Sequence, residues 1–184
     1  MALTATMYTF DVELSDVDRG VYETLAIRAA RHPSETEEYL LTRVLAYCLE
    51  HVEGIEFSRG LAEPDDPAIA VRDLTGVVRV WIEIGAPDAE RLHRATRSAP
   101  RVVVYTHKDP AQVVRQLEGS RIYRAESVEL YPIDREFLAG LAAHLARRMA
   151  FNLSVVERQL YLTIDGVQLT TEVTRRPIGG GGVS

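Results

Sequence analysis

A chain of 184 residues, 46% of them hydrophobic, is long enough for one domain with a substantial core and too short for two ordinary ones. Its formal net charge of −6 implies no broad basic face, so tight non-specific DNA binding would need local clustering of arginines. The single cysteine, Cys48, excludes an intramolecular disulfide framework, and no targeting segment or membrane-length apolar run is seen; a cytoplasmic protein without membrane association is expected.

The first element, Leu3–Leu14, alternates as a strand, and Asp16-Val-Asp-Arg-Gly20 is a polar turn. Val21–Ala30 reads as a second strand, because Arg31-His-Pro33 interrupts it and a helix start follows. Ser34-Glu-Thr-Glu37 has the form of a capping box. It opens a helix to about His51 whose inner stripe is Leu41, Val44, Leu45, Cys48 and Val52. Phe57 lies in a short strand. Ala68–Arg72 and Val77–Ile84 read as two strands joined by a turn at Asp73-Leu-Thr-Gly76. Pro64-Asp65-Asp66-Pro67 reads as a solvated loop.

Pro87-Asp88 opens a helix to about Ser98. Arg101–Thr106 is an apolar strand, Pro110–Glu118 a short helix, Ile122–Tyr131 a strand and Phe137–Arg148 an amphipathic helix. Leu153–Val156, Gln159–Ile164 and Val167–Thr174 form a meander, with Asp165-Gly166 as a two-residue hairpin turn. The expected class is α/β (α+β): a mixed central sheet flanked by helices, with the meander extending the sheet or covering one side. One domain over 1–178 is expected, followed by a frayed glycine-rich tail at 179–184.

Glu83 is the most informative residue. It sits inside the apolar run Val80-Trp-Ile-Glu-Ile84, on the face shared by Trp81 and Gly85. A carboxylate there needs a partner, either an arginine or a metal ion. Asp73 in the preceding turn is explained as a turn residue, or as a second acid. Glu35 and Glu38 share a helix face; Glu38 stands in line with Leu41 and Leu45, and the cap does not account for it. Carboxylates grouped on a sheet suit Mg²⁺ or Mn²⁺, which take oxygen ligands and leave positions for water and a phosphate oxygen. Arg94 and Lys108 are the candidate cations to contact phosphate. Only Lys108 among the 21 basic residues is a lysine, and arginine cannot act as a general base.

Met1-Ala-Leu, Arg31-His-Pro-Ser-Glu-Thr36, Phe57-Ser-Arg-Gly-Leu61, Trp81-Ile-Glu-Ile-Gly85 and Pro87-Asp88 together resemble the YaeQ family of small bacterial proteins, over nearly the whole chain. The resemblance implies a variant of the PD-(D/E)XK nuclease-like fold, a restriction-endonuclease-like core with extra strands at both termini. It further implies Glu38 (or Glu35) as the helical acid, Asp73 as the strand acid and Glu83 as the acid of Glu-x-Lys. Gly85 stands where that pattern has lysine, and Arg94 on the next helix is the residue expected to substitute. Two functions stay open: a Mg²⁺- or Mn²⁺-dependent nuclease, or an inactive nuclease-fold module that binds nucleic acid or a regulatory protein partner.

Overall fold

Alternating and apolar runs become ten strands, and the longer periodic segments become four helices, in a computed structural model that describes residues 4–58 and 65–178. In chain order they are β1 (Thr6–Asp16), β2 (Val21–Arg31), α1 (Glu37–Leu49), β3 (Ile55–Phe57), β4 (Ile69–Arg72), β5 (Val78–Ile84) and α2 (Ala89–Ser98). There follow β6 (Arg101–Thr106), α3 (Pro110–Leu117), β7 (Glu129–Pro132), α4 (Arg135–Ala142), β8 (Arg148–Val156), β9 (Gln159–Ile164) and β10 (Val167–Glu172). Met1-Ala-Leu, most of Phe57–Leu61, and the glycine tail lie outside the described residues. No helix among the described residues is long and apolar enough to cross a membrane.

The chain divides into two compact units, each discontinuous in sequence. The first takes the residues up to His51 and those from Ile133 to Val173. Its mixed sheet has the order β10-β9-β8-β1-β2. β1 pairs antiparallel with β2 and parallel with β8. The register sets Val12 between Leu25 and Phe151, and Phe10 between Ile27 and Met149. All six side chains are buried, so one face of this sheet is apolar and the other carries the polar alternates. The C-terminal meander thus joins the N-terminal hairpin in a sheet of its own instead of extending the other sheet. Asp165 and Gly166 both have positive φ, +50° and +76°, as a two-residue I′ turn requires.

The helix α1 begins differently from the capping-box expectation. Thr36, not Ser34, is the cap: its hydroxyl accepts the Tyr39 N–H at 3.1 Å. Ser34 instead bonds the Nδ1 of His32. At the other end, Arg19 donates to the carbonyls of His51 (2.8 Å) and Cys48 (3.2 Å), placing a cation where the helix dipole is negative. Leu41, Val44, Leu45 and Cys48 are buried as the stripe predicts, whereas Val52, beyond the helix end, is half-exposed.

The second unit takes Val52 to Pro132 and the residues from Thr174 on. Its mixed sheet has the order β3-β4-β5-β6-β7. The first three strands form an antiparallel meander, and β6 and β7 continue it in parallel after the α2 and α3 crossovers. Asp88 caps α2 by accepting the Arg91 N–H at 2.8 Å, and Asp109 caps α3 with Pro110 at its first position. Leu92 and Ala95 of α2 are fully buried in a core with Trp81, Val102, Val104, Val113, Leu130 and Ile178. Burying one such leucine contributes about 2 kcal/mol.

Two expected elements are shorter than their sequence suggests. Ile122–Tyr131 is a strand only over β7; ahead of it Ala125–Ser127 is a single 3₁₀ turn entered through Arg124 at φ +52°. The helix expected over Phe137–Arg148 ends at Ala142, and Arg148 already belongs to β8. The apolar residues Met149, Phe151 and Leu153 follow at period two, which fits the strand.

Candidate functional site

Glu83 lies near the end of β5 and is 4% exposed. Strand alternation puts it on the side of Trp81, whose Nε1–H donates to its Oε1 at 2.6 Å. The guanidinium of Arg91, in the first turn of α2, donates Nε–H to the same oxygen at 2.8 Å. It also donates from Nη2 to the Asp66 carbonyl at 2.7 Å and lies 6.0 Å from the centre of the Trp81 ring. Burial pushes the Glu83 carboxyl above its ordinary range; Arg91 and Trp81 oppose that shift by stabilising the ionised form, without cancelling it. The arrangement is a partly buried ion pair braced by an indole.

Gly85 has φ +90° and donates its N–H to the Tyr105 carbonyl at 2.9 Å. An L-residue side chain is disfavoured at that φ. The strand also ends at Ile84, so residue 85 no longer follows the alternation that would bring a lysine beside Glu83. The backbone itself therefore explains why glycine, not lysine, stands there.

Asp73 does not join Glu83. Its carboxylate closes the β4–β5 turn, accepting from the Thr75 hydroxyl (2.6 Å), the amides of Thr75 (2.9 Å) and Val77 (3.1 Å), and Arg79 (2.9 Å). Led by the Thr75 hydroxyl, these bonds hold its pKa down to about 2. From Val77 to Glu83 the extended chain covers about 20 Å, far beyond the ~2–2.6 Å reach of ligands sharing one ion. The pairing of Asp73 with Glu83 as joint metal ligands is thus corrected: hairpin geometry sends them to opposite ends of one strand.

The helical acids belong to the other unit. Glu35 is paired with Arg43 at 3.2 Å, both side chains nearly buried, and its own carbonyl accepts from Arg31. Glu38 is exposed, and its carbonyl accepts the Thr42 hydroxyl at 2.7 Å. Its alignment with the core stripe does not bury it. Arg94 sits 3.5 Å from both Asp65 and Glu90, an exposed pairing of little strength. Lys108 is exposed after β6. No group of three or more His, Cys, Asp or Glu placed to hold a metal ion occurs among the described residues. Glu83, its Oε1 already bonded to a guanidinium and an indole, does not fit a resident Mg²⁺ or Mn²⁺.

Sequence reasoning missed Arg91 and Asp66. The antiparallel register pairs Ile69 with Ile82, so Glu83 stands at the Asp66 end of the hairpin. Asp66 also pairs with Arg72 at 3.3 Å, and Arg72 bonds Glu56 at 2.6 Å and the Gly76 carbonyl at 3.2 Å. These groups border a cavity of about 370 Å³ lined by Glu56, Phe57, Ser58, Asp66, Pro67 and Arg72. Counting back across the hairpin from Glu83 was the available signal; it leads to the Asp65-Asp66 loop.

The profile of the family described as "YaeQ protein" matches residues 1–173. The chain is 31% identical to the "Uncharacterized protein YaeQ" of Escherichia coli (strain K12), over 95% of its own length and 97% of that protein. It is likewise 31% identical to the Salmonella typhi protein of that name, over 89% of its length and 91% of the relative. Among solved structures, the YaeQ protein from Pseudomonas syringae superposes with a TM-score of 0.84 at 31% identity, covering 93% of this chain and 95% of that one. The Xanthomonas axonopodis pv. citri protein gives 0.85 at 29% identity, covering 96% and 100%. The chain belongs to the YaeQ family.

Proposed function

We propose that this domain works by binding, as a PD-(D/E)XK-like fold in which an ion pair occupies the place of a catalytic centre. The carrying observation is the buried Glu83, its Oε1 held by both Arg91 and Trp81. The antiparallel meander β3-β4-β5 followed by the α2 crossover to parallel β6 supports the nuclease-like ancestry. The positive φ of Gly85 supports the absence of a catalytic lysine. The proposed partner is nucleic acid, and the proposed setting the cytoplasm.

Metal-titrated cleavage assays test this. Wild type and Glu83→Gln are incubated with single- and double-stranded DNA and RNA over a range of Mg²⁺ and Mn²⁺. Both are expected to stay at background. Metal-dependent cleavage by wild type that Glu83→Gln abolishes would overturn the reading.

One observation favours the alternative, a metal-dependent nuclease. Glu83 and the Asp66 loop are joined through a cation, the Arg91 guanidinium. A divalent ion at that point would require Arg91 to swing away, and Asp66 rather than Asp73 would be the second acid. The same cleavage assay decides between the two.

A further inference from the structure

We infer that the face built around Tyr123 in the second unit is a docking surface for single-stranded nucleic acid. The inference names the surface and ligand class for the binding function above, and so rests on that reading. It concerns residues that make no hydrogen bond or ion pair with Glu83 among the described contacts, although His93 and Arg97 share the helix α2 with Arg91.

The local construction is specific. Ile122 packs against the core of the unit, and the next residue, Tyr123, meets α2, where His93 Nδ1 accepts its N–H at 3.0 Å. One helical turn further on, the Arg97 guanidinium lies over the Tyr123 ring, 5.9 Å from its centre. Tyr123 nevertheless remains 49% exposed, so much of the ring is open to a second planar group. Arg121 and Arg124 flank it in sequence, both exposed. Arg124 holds a left-handed backbone that starts the 3₁₀ turn. In the middle of that turn the Glu126 carbonyl accepts from Arg175 at 3.0 Å, which brings a fourth arginine to it.

The charge balance of this face is basic. Among the described residues, the guanidinium groups of Arg97, Arg121 and Arg124 have no carboxylate partner. Five other arginines of this unit are paired with carboxylates: Arg72 with Glu56 and Asp66, Arg79 with Asp73, Arg91 with Glu83, Arg94 with Asp65 and Glu90, and Arg101 with Glu129. The acids close in sequence are Glu118 and Glu126, both exposed, and Glu129, which Arg101 and Tyr131 occupy. In a chain of net charge −6 this is a local basic cluster.

An open aromatic face lies under Arg97, between two exposed arginines in sequence, and that combination matches one ligand chemistry. Phosphates of a single strand would bridge Arg121, Arg124 and Arg175 while an unpaired base stacks on Tyr123 opposite or beside Arg97. A duplex offers no free base face to Tyr123, and an acidic peptide would gain nothing from stacking.

Fluorescence anisotropy with the full chain in EDTA tests this apart from any cleavage. Labelled oligothymidylate and oligouridylate separate DNA from RNA, and a duplex of equal length is the control. Expected are salt-dependent binding to a single strand, at least tenfold weaker binding for Arg121→Glu/Arg124→Glu, and a shallower salt slope for that variant. Tyr123→Ala is expected to weaken binding about tenfold while leaving the salt slope unchanged, and Arg79→Glu to change nothing. The inference is overturned if single strands do not bind, or bind equally to the Arg121→Glu/Arg124→Glu protein. It is also overturned if Tyr123→Ala binds as wild type and heparin competes as well as a single strand does, which would mark a general polyanion surface. None of these failures bears on the cleavage result at Glu83.

Discussion

The Nε of Arg91 lies 2.8 Å from the Oε1 of Glu83, and the two residues come from a strand and from the first turn of the following helix. Glu83 is almost wholly buried while about a quarter of the Arg91 side chain reaches solvent, so removing either partner has unequal effects. Arg91→Ala strands a buried carboxylate and is expected to cost about 2–4 kcal/mol at neutral pH, somewhat under the range for fully buried pairs. Glu83→Gln keeps an oxygen that accepts from Trp81 and Arg91, and is expected to cost only about 1–2 kcal/mol. Burial already raises the Glu83 pKa above its unfolded value. The folded state then holds the proton more tightly, so stability from this group is greatest below the unfolded pKa and declines as pH rises through the folded one. Without Arg91 the folded pKa rises further, and the cost of Arg91→Ala should shrink on acidification. Urea unfolding of both variants at mildly acidic and mildly alkaline pH measures this; an Arg91→Ala cost that does not change with pH would refute it.

That Glu83 needed a partner was legible in the sequence, because a carboxylate between Ile82 and Ile84 in an apolar run has few ways to exist. Which partner it has was not. Nearly all the basic residues of this chain are arginines, and periodicity says nothing about which helix turn packs over which strand. The β4–β5 hairpin was legible from Asp73-Leu-Thr-Gly76, and its consequence follows from geometry: the turn residue and the strand-end residue must be far apart. The resemblance to a nuclease motif favoured Asp73 over the Asp65-Asp66 loop, which the register sets beside Glu83. The parallel pairing of β1 with β8 was hidden for a different reason. Alternation identifies a strand and its buried face, but not a neighbour more than a hundred residues away.

Asp73 should titrate far below an ordinary aspartate. Its carboxylate accepts four hydrogen bonds, three from the Thr75–Val77 segment and one from Arg79 of β5, foremost that of the Thr75 hydroxyl, which hold it at about 2 against an ordinary 3.8. The sign follows from the depressed folded value: the stabilisation is complete above the unfolded pKa and lost as pH falls toward the folded one. A carbon-detected NMR titration of the Asp73 carboxyl is expected to show its midpoint near about 2. In Asp73→Ala the Thr75 and Val77 amides should exchange faster while those of β6 do not. A midpoint at the ordinary aspartate value would contradict the turn network.

Cys48 should be chemically silent in the native protein. It is fully buried in α1, and burial pushes its thiol up to about 12 against the opposing charge of Arg19. The reactive species is the thiolate, so both access and ionisation protect it. Ellman's reagent at neutral pH is expected to leave the native thiol unmodified and to react fully once urea unfolds the first unit. Prompt modification of the native protein would show that α1 opens locally or that the helix is not seated as described.

Gly54 and Gly76 make a paired test of how the second unit holds its edge strand. Both have positive φ, +93° and +86°. A side chain at Gly76 would meet nothing within 4 Å, so Gly76→Ala carries only the left-handed backbone penalty, about 1–2 kcal/mol. A Cβ at Gly54 would overlap the carbonyl oxygen of Arg72. That oxygen is backbone and cannot rotate away. Gly54 in turn accepts the Arg72 N–H at 3.0 Å, one step from the Ile55–Val71 pair that joins β3 to β4. Gly54→Ala must therefore move β3 off β4 and disturb Arg72, which ties Glu56 to Asp66 beside the cavity. Its cost is expected to exceed that of Gly76→Ala by at least about 2 kcal/mol, in the range of overpacked core substitutions. Urea midpoints of the two variants provide the comparison. Equal losses would mean that β3 yields freely, and that the close approach of Gly54 to Arg72 contributes little to holding the edge of this sheet.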